Sequence, residues 1–181
     1  MKPTRFSALQ RALHWLMAAA IIAMLFIGVG MVTTVHPRYL TLVAVHKPLG
    51  IAILALALCR IVLRLRRGAP PLPADLPHVQ QLGAHASHLA LYGMMVAMPL
   101  IGWAMLSAGG YPITLGGALR LPPIAPHDDA LYAVLRTAHV WLAYAFFVTI
   151  LAHLAAALMH ALIRRDGVFA TMAPWARTGR S

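Results

Sequence analysis

Histidines inside apolar sequence are the residues of this chain best suited to carry chemistry. The stretch HVWLAYAFFVTILAHLAAALMH, residues 139 to 160, holds His139, His153 and His160 among Ala, Leu, Phe and Val. An ionisable ring loses its hydration in such a segment, and residues of this kind usually face other helices and carry function. The sequence therefore predicts that these rings have partners elsewhere in the chain.

The spacing of the histidines indicates two sites at two depths. His139 and His153 are 14 residues apart, which is about four helical turns, so both rings lie on nearly one face and about 21 Å apart along the axis. His46 follows Arg38 by eight residues, and His139 follows Asp129 by ten. His46 and His139 therefore have similar depths, and we call them the outer pair.

His14 is the predicted partner of His153, and we call these two residues the inner pair. The agreement in depth is looser here. His153 lies eleven residues before Arg164, whereas His14 lies only three residues after Arg11. A snorkelling Arg11, or a fourth helix that projects beyond the lipid, would account for the difference.

Paired imidazoles in an apolar bundle suit a haem better than zinc. A zinc site normally needs four ligands close together, and no Asp, Glu or Cys lies at these depths to complete one. Haem iron takes one axial imidazole from each of two helices, and the macrocycle fills apolar space between them. Two histidines per iron leave no open position for oxygen, which favours electron transfer over oxygen binding.

Arg60 and Cys59 bear on how a haem would be held. Arg60 follows His46 by 14 residues, about four turns further in, so it is a candidate contact for a haem propionate. The alternative is an arginine that snorkels at the end of its span. The single cysteine, Cys59, is not part of a Cys-x-x-Cys-His attachment signal, so any haem is held without thioether bonds.

Composition then indicates which elements position these residues. Hydrophobic residues make up 61% of the 181 residues and charged residues only 10%, a balance typical of membrane proteins. Four apolar runs each exceed the roughly 20 residues that cross a bilayer as a helix. Short connections favour antiparallel neighbours. We predict a single all-α membrane domain, residues 1–181, forming an up-down-up-down bundle of helices over approximately residues 12–35, 41–65, 82–108 and 130–163.

The net charge of +11 predicts orientation rather than nucleic-acid binding, because the basic residues cluster beside the spans. Eleven of them fall on one side, which the positive-inside rule assigns to the cytoplasm together with both termini. These are Lys2, Arg5, Arg11, Arg60, Arg64, Arg66, Arg67, Arg164, Arg165, Arg177 and Arg180. The other side holds only Arg38, Lys47, Arg120 and Arg136.

The connections are predicted to contain no folded module. The proline-rich segment 68–81 reads as a stiff connector. The longer segment 109–129 has apolar stretches between its Gly and Pro residues and is predicted to fold back as a lid on the outer face. His36, His78 and His127 are interpreted as solvated loop residues.

Four motifs together resemble the bacterial cytochrome b561 family, including its small superoxide:ubiquinone oxidoreductases. They are RALHWLMA, HKPLGIAILALALCRIVLRLRR, AHASHLALYGMMVAMPLIGW and RTAHVWLAYAFFVTILAHLAAALMH. The resemblance covers nearly the whole chain and implies two b haems in a four-helix bundle. It implies His46 with His139 as ligands of the outer haem and His14 with His153 as ligands of the inner one. His88 remains a competitor for the inner iron.

The resemblance also implies a reaction in the bacterial inner membrane. Superoxide would give electrons at the periplasmic side, and ubiquinone would collect two of them at the inner haem. His88 and His160 would belong to the quinone pocket, where an imidazole can help deliver a proton. Steering of superoxide would fall to the outer cations, Arg38, Lys47, Arg120 and Arg136, because a positive field speeds the encounter with a small anion.

The same residues are compatible with other functions. A cytochrome b subunit that carries electrons between a periplasmic dehydrogenase, hydrogenase or cytochrome and the quinone pool would use the same haems with a different donor. A haem-free transporter or scaffold would leave the four paired histidines without a shared purpose. For any one histidine alone, a hydrogen bond to a neighbouring helix would be the simpler interpretation.

Overall fold

Four long helices dominate the computed structural model, which describes residues 5–115 and 119–173. They are α1 (Ala8–Thr33), α2 (Arg38–Arg67), α3 (His78–Ala108) and α4 (Asp129–Leu158). A π-helical segment (Met159–Arg164) extends α4, and a short α5 (Val168–Met172) follows. All four long helices are apolar and long enough to cross a membrane. The predicted four-helix bundle is thus confirmed.

Sequential neighbours in the chain are also neighbours in the bundle. Helix α1 packs chiefly against α2, α3 packs chiefly against α4, and α2 contacts α3. The buried core consists of Met17, Ala57, Met94, Met95 and Phe146. Large apolar side chains elsewhere point outward, as expected of helices whose outer surface meets lipid.

The helices begin earlier than the apolar runs predict. Helix α1 begins at Ala8 because the Ser7 hydroxyl accepts from the backbone N–H of Gln10, while the Gln10 side chain accepts from the backbone N–H of Ser7. This is a capping box, which satisfies N–H groups that the helix start leaves free. Helix α3 begins at His78, directly after Pro77. The prediction that His78 lies in a loop is therefore wrong. The helix was predicted from its apolar run alone, and its first residues are too polar to belong to that run.

The outer connection between α3 and α4 contains the only strands in the described ranges. Strand β1 (Ile113–Leu115) pairs with β2 (Leu119–Leu121) in an antiparallel hairpin. The segment folds back onto the end of α3, where the Ser107 hydroxyl accepts from the backbone N–H of Ile124. His127 hydrogen-bonds through Nδ1 to the carbonyl of Ala108 at 2.7 Å. His127 lies in a loop and is exposed, as predicted, and this hydrogen bond ties it to the end of α3.

The inner end of the bundle is closed by the chain that leaves α4. Arg165 and Gly167 both adopt the left-handed conformation, with φ of 52° and 79°, which reverses the chain direction. Helix α5 then returns toward α1, where the indole N–H of Trp15 donates to the carbonyl of Met172 at 3.0 Å. Three of the eleven basic residues that predict the orientation lie outside the described residues. They are Lys2, Arg177 and Arg180.

Candidate functional site

The outer pair consists of two imidazoles that face each other across the bundle. His46 is carried by α2 and His139 by α4, and their ring centres are 6.3 Å apart with an interplanar angle of 65°. The Nδ1 atom of His46 is buried and makes no hydrogen bond to any described residue. A buried polar atom without a partner is costly, so the ring of His46 is placed for something other than packing.

Gly102 of α3 makes room for one of these rings. A Cβ atom at position 102 would lie 3.3 Å from Cε1 and 3.6 Å from Nδ1 of His139. The first distance is tighter than side chains normally tolerate in a packed interior. The absence of a side chain at Gly102 therefore lets the imidazole of His139 lie against the backbone of α3.

The inner pair repeats the geometry of the outer pair. His14 of α1 and His153 of α4 have ring centres 6.4 Å apart and an interplanar angle of 74°. A third imidazole approaches from α3, since the ring of His88 is 5.5 Å from that of His153. The side chain of His88 is exposed on the flank of the bundle. Three histidines thus meet at the inner site, where the outer site has two.

Arg60 lies against the inner pair. Its Nη1 atom is 2.8 Å from Nδ1 of His14, and its Nε atom donates to the hydroxyl of Tyr92 at 3.1 Å. The guanidinium has no acceptor atom, so Nδ1 of His14 is the acceptor in this arrangement. Tyr92 was not among the predicted site residues. A tyrosine in an apolar helix, whose hydroxyl needs a partner, is the signal that could have identified it.

The separations of the two pairs fit a haem iron. Two imidazole nitrogens on opposite sides of one metal ion, each bound at about 2 Å, hold their ring centres about 6 Å apart. The outer and inner pairs, at 6.3 and 6.4 Å, both meet this requirement. Within the described ranges, no group of three or more His, Cys, Asp or Glu side chains is arranged to hold a metal ion. The facing imidazoles of each pair thus match a bis-histidine haem in ligand type and spacing. To bind iron through Nε2, His14 would carry its ring proton on Nδ1, so Arg60 would have to leave that atom.

His160 belongs to a charged cluster at the inner end. Its Nδ1 atom is 2.7 Å from Oδ2 of Asp166, and the Nε atom of Arg164 donates to the same oxygen at 2.9 Å. Arg164 also donates to Asp75, in the connector before α3, at 2.8 Å. Burial raises the pKa of Asp166, but the hydrogen bonds from His160 and Arg164 outweigh it and hold that pKa below its usual value.

Asp166 is a site residue that the sequence analysis missed. The chain has only four acidic residues, so an aspartate six positions after an intramembrane histidine was a usable signal. The π-helical segment changes the helical phase between these positions, and π-helical turns recur at functional sites. The left-handed Arg165 then directs the chain back toward His160.

The predicted steering cations lie at the outer end and form no ion pair with any described residue. Arg38 begins α2 and lines a shallow cavity of about 420 Å³ beside Thr33 and Thr34. Lys47 donates to the carbonyl of Pro112 at 3.2 Å, which ties it to the β hairpin. The remaining two, Arg120 on β2 and Arg136 on α4, are exposed.

A family model and three similar proteins all point to one family. A sequence model of the family described as prokaryotic cytochrome b561 matches residues 5–175. A Yersinia pestis protein named probable superoxide oxidase CybB is 32% identical over 173 residues, covering 94% of this chain and 96% of its own. Two Escherichia coli K12 proteins are similar over 94% of this chain: cytochrome b561 homolog 2, 31% identical with 92% of its length covered, and cytochrome b561 homolog 1, 28% identical with 97% covered.

Proposed function

Because the chain belongs to the prokaryotic cytochrome b561 family, a family of haem-binding membrane electron-transfer proteins, we propose that it is a di-haem superoxide:ubiquinone oxidoreductase of the bacterial inner membrane. Both termini would lie in the cytoplasm, and superoxide would be oxidised at the periplasmic face. Two superoxide ions lose one electron each and become two O₂ molecules. One ubiquinone gains these two electrons and two protons and becomes ubiquinol.

The observation that carries the proposal is the repeated geometry of the two histidine pairs. Each pair joins α4 to another helix, and the two ring separations differ by only about 0.1 Å. His139 and His153 are 14 residues apart on α4, so the pairs lie about 21 Å apart along it. Two redox centres at this spacing would connect the two faces of the membrane.

The proposal assigns His46 and His139 to one haem and His14 and His153 to the other. Each bound haem would supply a reversible one-electron couple with no open coordination position. Phe146 lies midway along α4 between the two pairs and is buried against Met17, Met94 and Met95. These apolar side chains exclude water from the interior between the two sites.

The outer cations support a small anion as the electron donor. Arg38, Arg120 and Arg136 are exposed, and none is neutralised by a described carboxylate. Asp128 at the same end caps α4, since its side chain accepts from the backbone N–H of Leu131. The positive field at this face would raise the local concentration of superoxide. The name of the Yersinia relative agrees with this donor.

The inner histidines support ubiquinone as the acceptor. His88 is exposed on the flank of the bundle, within ring contact of His153. His160 follows His153 by seven residues, about two turns further toward the inner end. A quinone that enters from the lipid beside His88 would be close to the inner pair. Both imidazoles could then hydrogen-bond quinone oxygens and take part in proton delivery.

Stopped-flow mixing of the purified haem-loaded protein with superoxide tests the proposal. We expect two b haems per chain by pyridine haemochrome, haem reduction by superoxide within the mixing experiment, and ubiquinol formation when ubiquinone-1 is present. O₂ released per ubiquinol formed should approach two. Haems that superoxide does not reduce, but that accept electrons from a periplasmic redox protein, would contradict the proposal. They would favour a cytochrome subunit that docks a partner.

A further inference from the structure

The contact between His160 and Asp166 bears on the proton transfer that quinone reduction requires. This inference rests on the proposed function. Both side chains are largely covered, with 12% of each exposed. Asp166 is the only carboxylate within hydrogen-bond distance of any described histidine ring. We infer that Asp166 is a positioning residue for proton delivery to the reduced quinone, acting by fixing the orientation and protonation pattern of His160.

The hydrogen-bond geometry determines which ring nitrogen is available. An ionised carboxylate only accepts hydrogen bonds, so Nδ1 of His160 carries the proton in the contact with Asp166. The Nε2 atom makes no hydrogen bond to any described residue. Nε2 is therefore the ring nitrogen that can exchange a proton with a ligand.

The charges around the cluster keep Asp166 ionised. Arg164 and the backbone N–H of Val168 both donate to its carboxylate, at 2.9 and 3.2 Å. Asp75, the second acidic group nearby, pairs with the outer nitrogen of Arg164 and is 75% exposed on its side chain. Helix α5, which packs against the π-helical segment, carries no charged residue. The carboxylate of Asp166 is thus the negative charge that faces His160.

Quinone reduction consumes protons, and His160 held by Asp166 is placed to deliver them. Each ubiquinone takes up two electrons and two protons, and the electrons come from the haems in the proposed function. When His160 carries protons on both nitrogens, Asp166 stabilises the cation across a charge-assisted hydrogen bond. Nε2–H then transfers one proton to the quinone oxygen as negative charge develops there. The ring is left neutral, still held through Nδ1–H. Nε2 then regains a proton from water at the inner face and transfers it to the quinone as the second proton.

The test follows reoxidation of the haems by ubiquinone-1 in the haem-loaded full chain, after stoichiometric reduction with dithionite under nitrogen. No superoxide is used, so the result is independent of the donor. For Asp166→Asn we expect unchanged haem spectra, a rate about tenfold lower at pH 8, and an unchanged ubiquinone-1 concentration at half-maximal rate.

Three comparisons make the test specific. Asp75→Asn removes the exposed ion pair with Arg164 and should stay within about twofold of the wild type. Asp166→Glu, which restores the charge, should recover much of the rate. In a His160→Gln background, Asp166→Asn should have little further effect, because residues that act as a unit are not additive.

Each unfavourable outcome has a separate meaning. If Asp166→Asn matches Asp75→Asn at every pH, or slows the reaction equally with and without His160, the inference is overturned while the proposed function stands. A wild-type protein whose reduced haems do not react with ubiquinone-1 would overturn the proposed quinone chemistry and this inference together.

Discussion

Gly102 of α3 and His139 of α4 lie in direct contact, so close that a methyl group at position 102 would come within 3.3 Å of Cε1 of the imidazole. The ring of His139 lies between this glycine and His46, whose ring centre is 6.3 Å away. The glycine thus helps to set the distance between the two members of the outer pair.

Gly102→Ala is expected to weaken the outer haem site selectively. The added methyl group displaces the ring of His139, and overpacking of this kind typically costs about 1–3 kcal/mol. Haem content per chain and loss of the Soret band on heating are the measurements. Gly93→Ala in the same helix is the matched control, because a Cβ there meets nothing within 4 Å. Equal behaviour of the two variants would contradict the proposed role of Gly102.

His46→Ala and His139→Ala should each leave one haem per chain. Both substitutions remove a ligand of the outer pair, while the inner pair lies about 21 Å further along α4. The remaining haem should keep a bis-imidazole spectrum, measured by difference spectroscopy and haemochrome assay. His36→Ala, at an exposed position near the outer end, should keep both haems. Two haems in either His46→Ala or His139→Ala would refute the ligand assignment.

Arg60→Leu should make the inner haem harder to reduce. The guanidinium lies 2.8 Å from Nδ1 of His14, and a nearby positive charge favours the reduced iron. Its removal is expected to lower the midpoint potential of one haem by roughly 60 mV, the value of a tenfold change in a one-electron equilibrium. Arg67→Leu, at the exposed end of α2, is the control for potentiometric titration. A shift of the same size in both variants would assign the effect to general surface charge.

Helical periodicity accounts for what the sequence predicted well. His139 and His153 are 14 residues apart, and the constant rise of a helix converts that number directly into two depths. Matching depths on other helices then identified His46 and His14 as facing residues, and the structure brings both close to their predicted partners. Whether these pairs hold iron is a prediction that the substitutions above test.

Contacts that depend on helix rotation or on chain reversal could not be predicted from the sequence. Depth alone could not place Gly102 against His139, because that requires the rotation of α3 about its own axis. It could not separate His88 from His14 either, since both approach His153. The pairing of His160 with Asp166 depends on a π-helical segment and a left-handed Arg165, and neither has a clear signature in the sequence.

Neutralising the outer arginines should slow the reaction with superoxide and reduce its dependence on salt. Arg38 and Arg136 are exposed and form no ion pair with a described residue, so their charge acts on the approaching anion. For the double variant Arg38→Gln, Arg136→Gln, we expect a bimolecular rate roughly tenfold lower at low ionic strength. The difference should shrink as salt is added. Arg66→Gln at the other end of α2 should leave the rate unchanged, and an equal loss in that control would argue against steering.

His88→Gln is expected to preserve both haems and to slow the reoxidation of reduced haem by ubiquinone-1 about tenfold or more. The ring of His88 lies 5.5 Å from that of His153, closer than the roughly 6 Å that two ligands on one iron require. The 6.4 Å separation of His14 and His153 fits that requirement better, which is why His88 is assigned to the quinone. His85→Gln is the matched control, since its ring bonds to the carbonyl of Gln81 on the same helix. Loss of one haem in His88→Gln, with both haems retained in His14→Ala, would make His88 the iron ligand and reverse the assignment of the inner site.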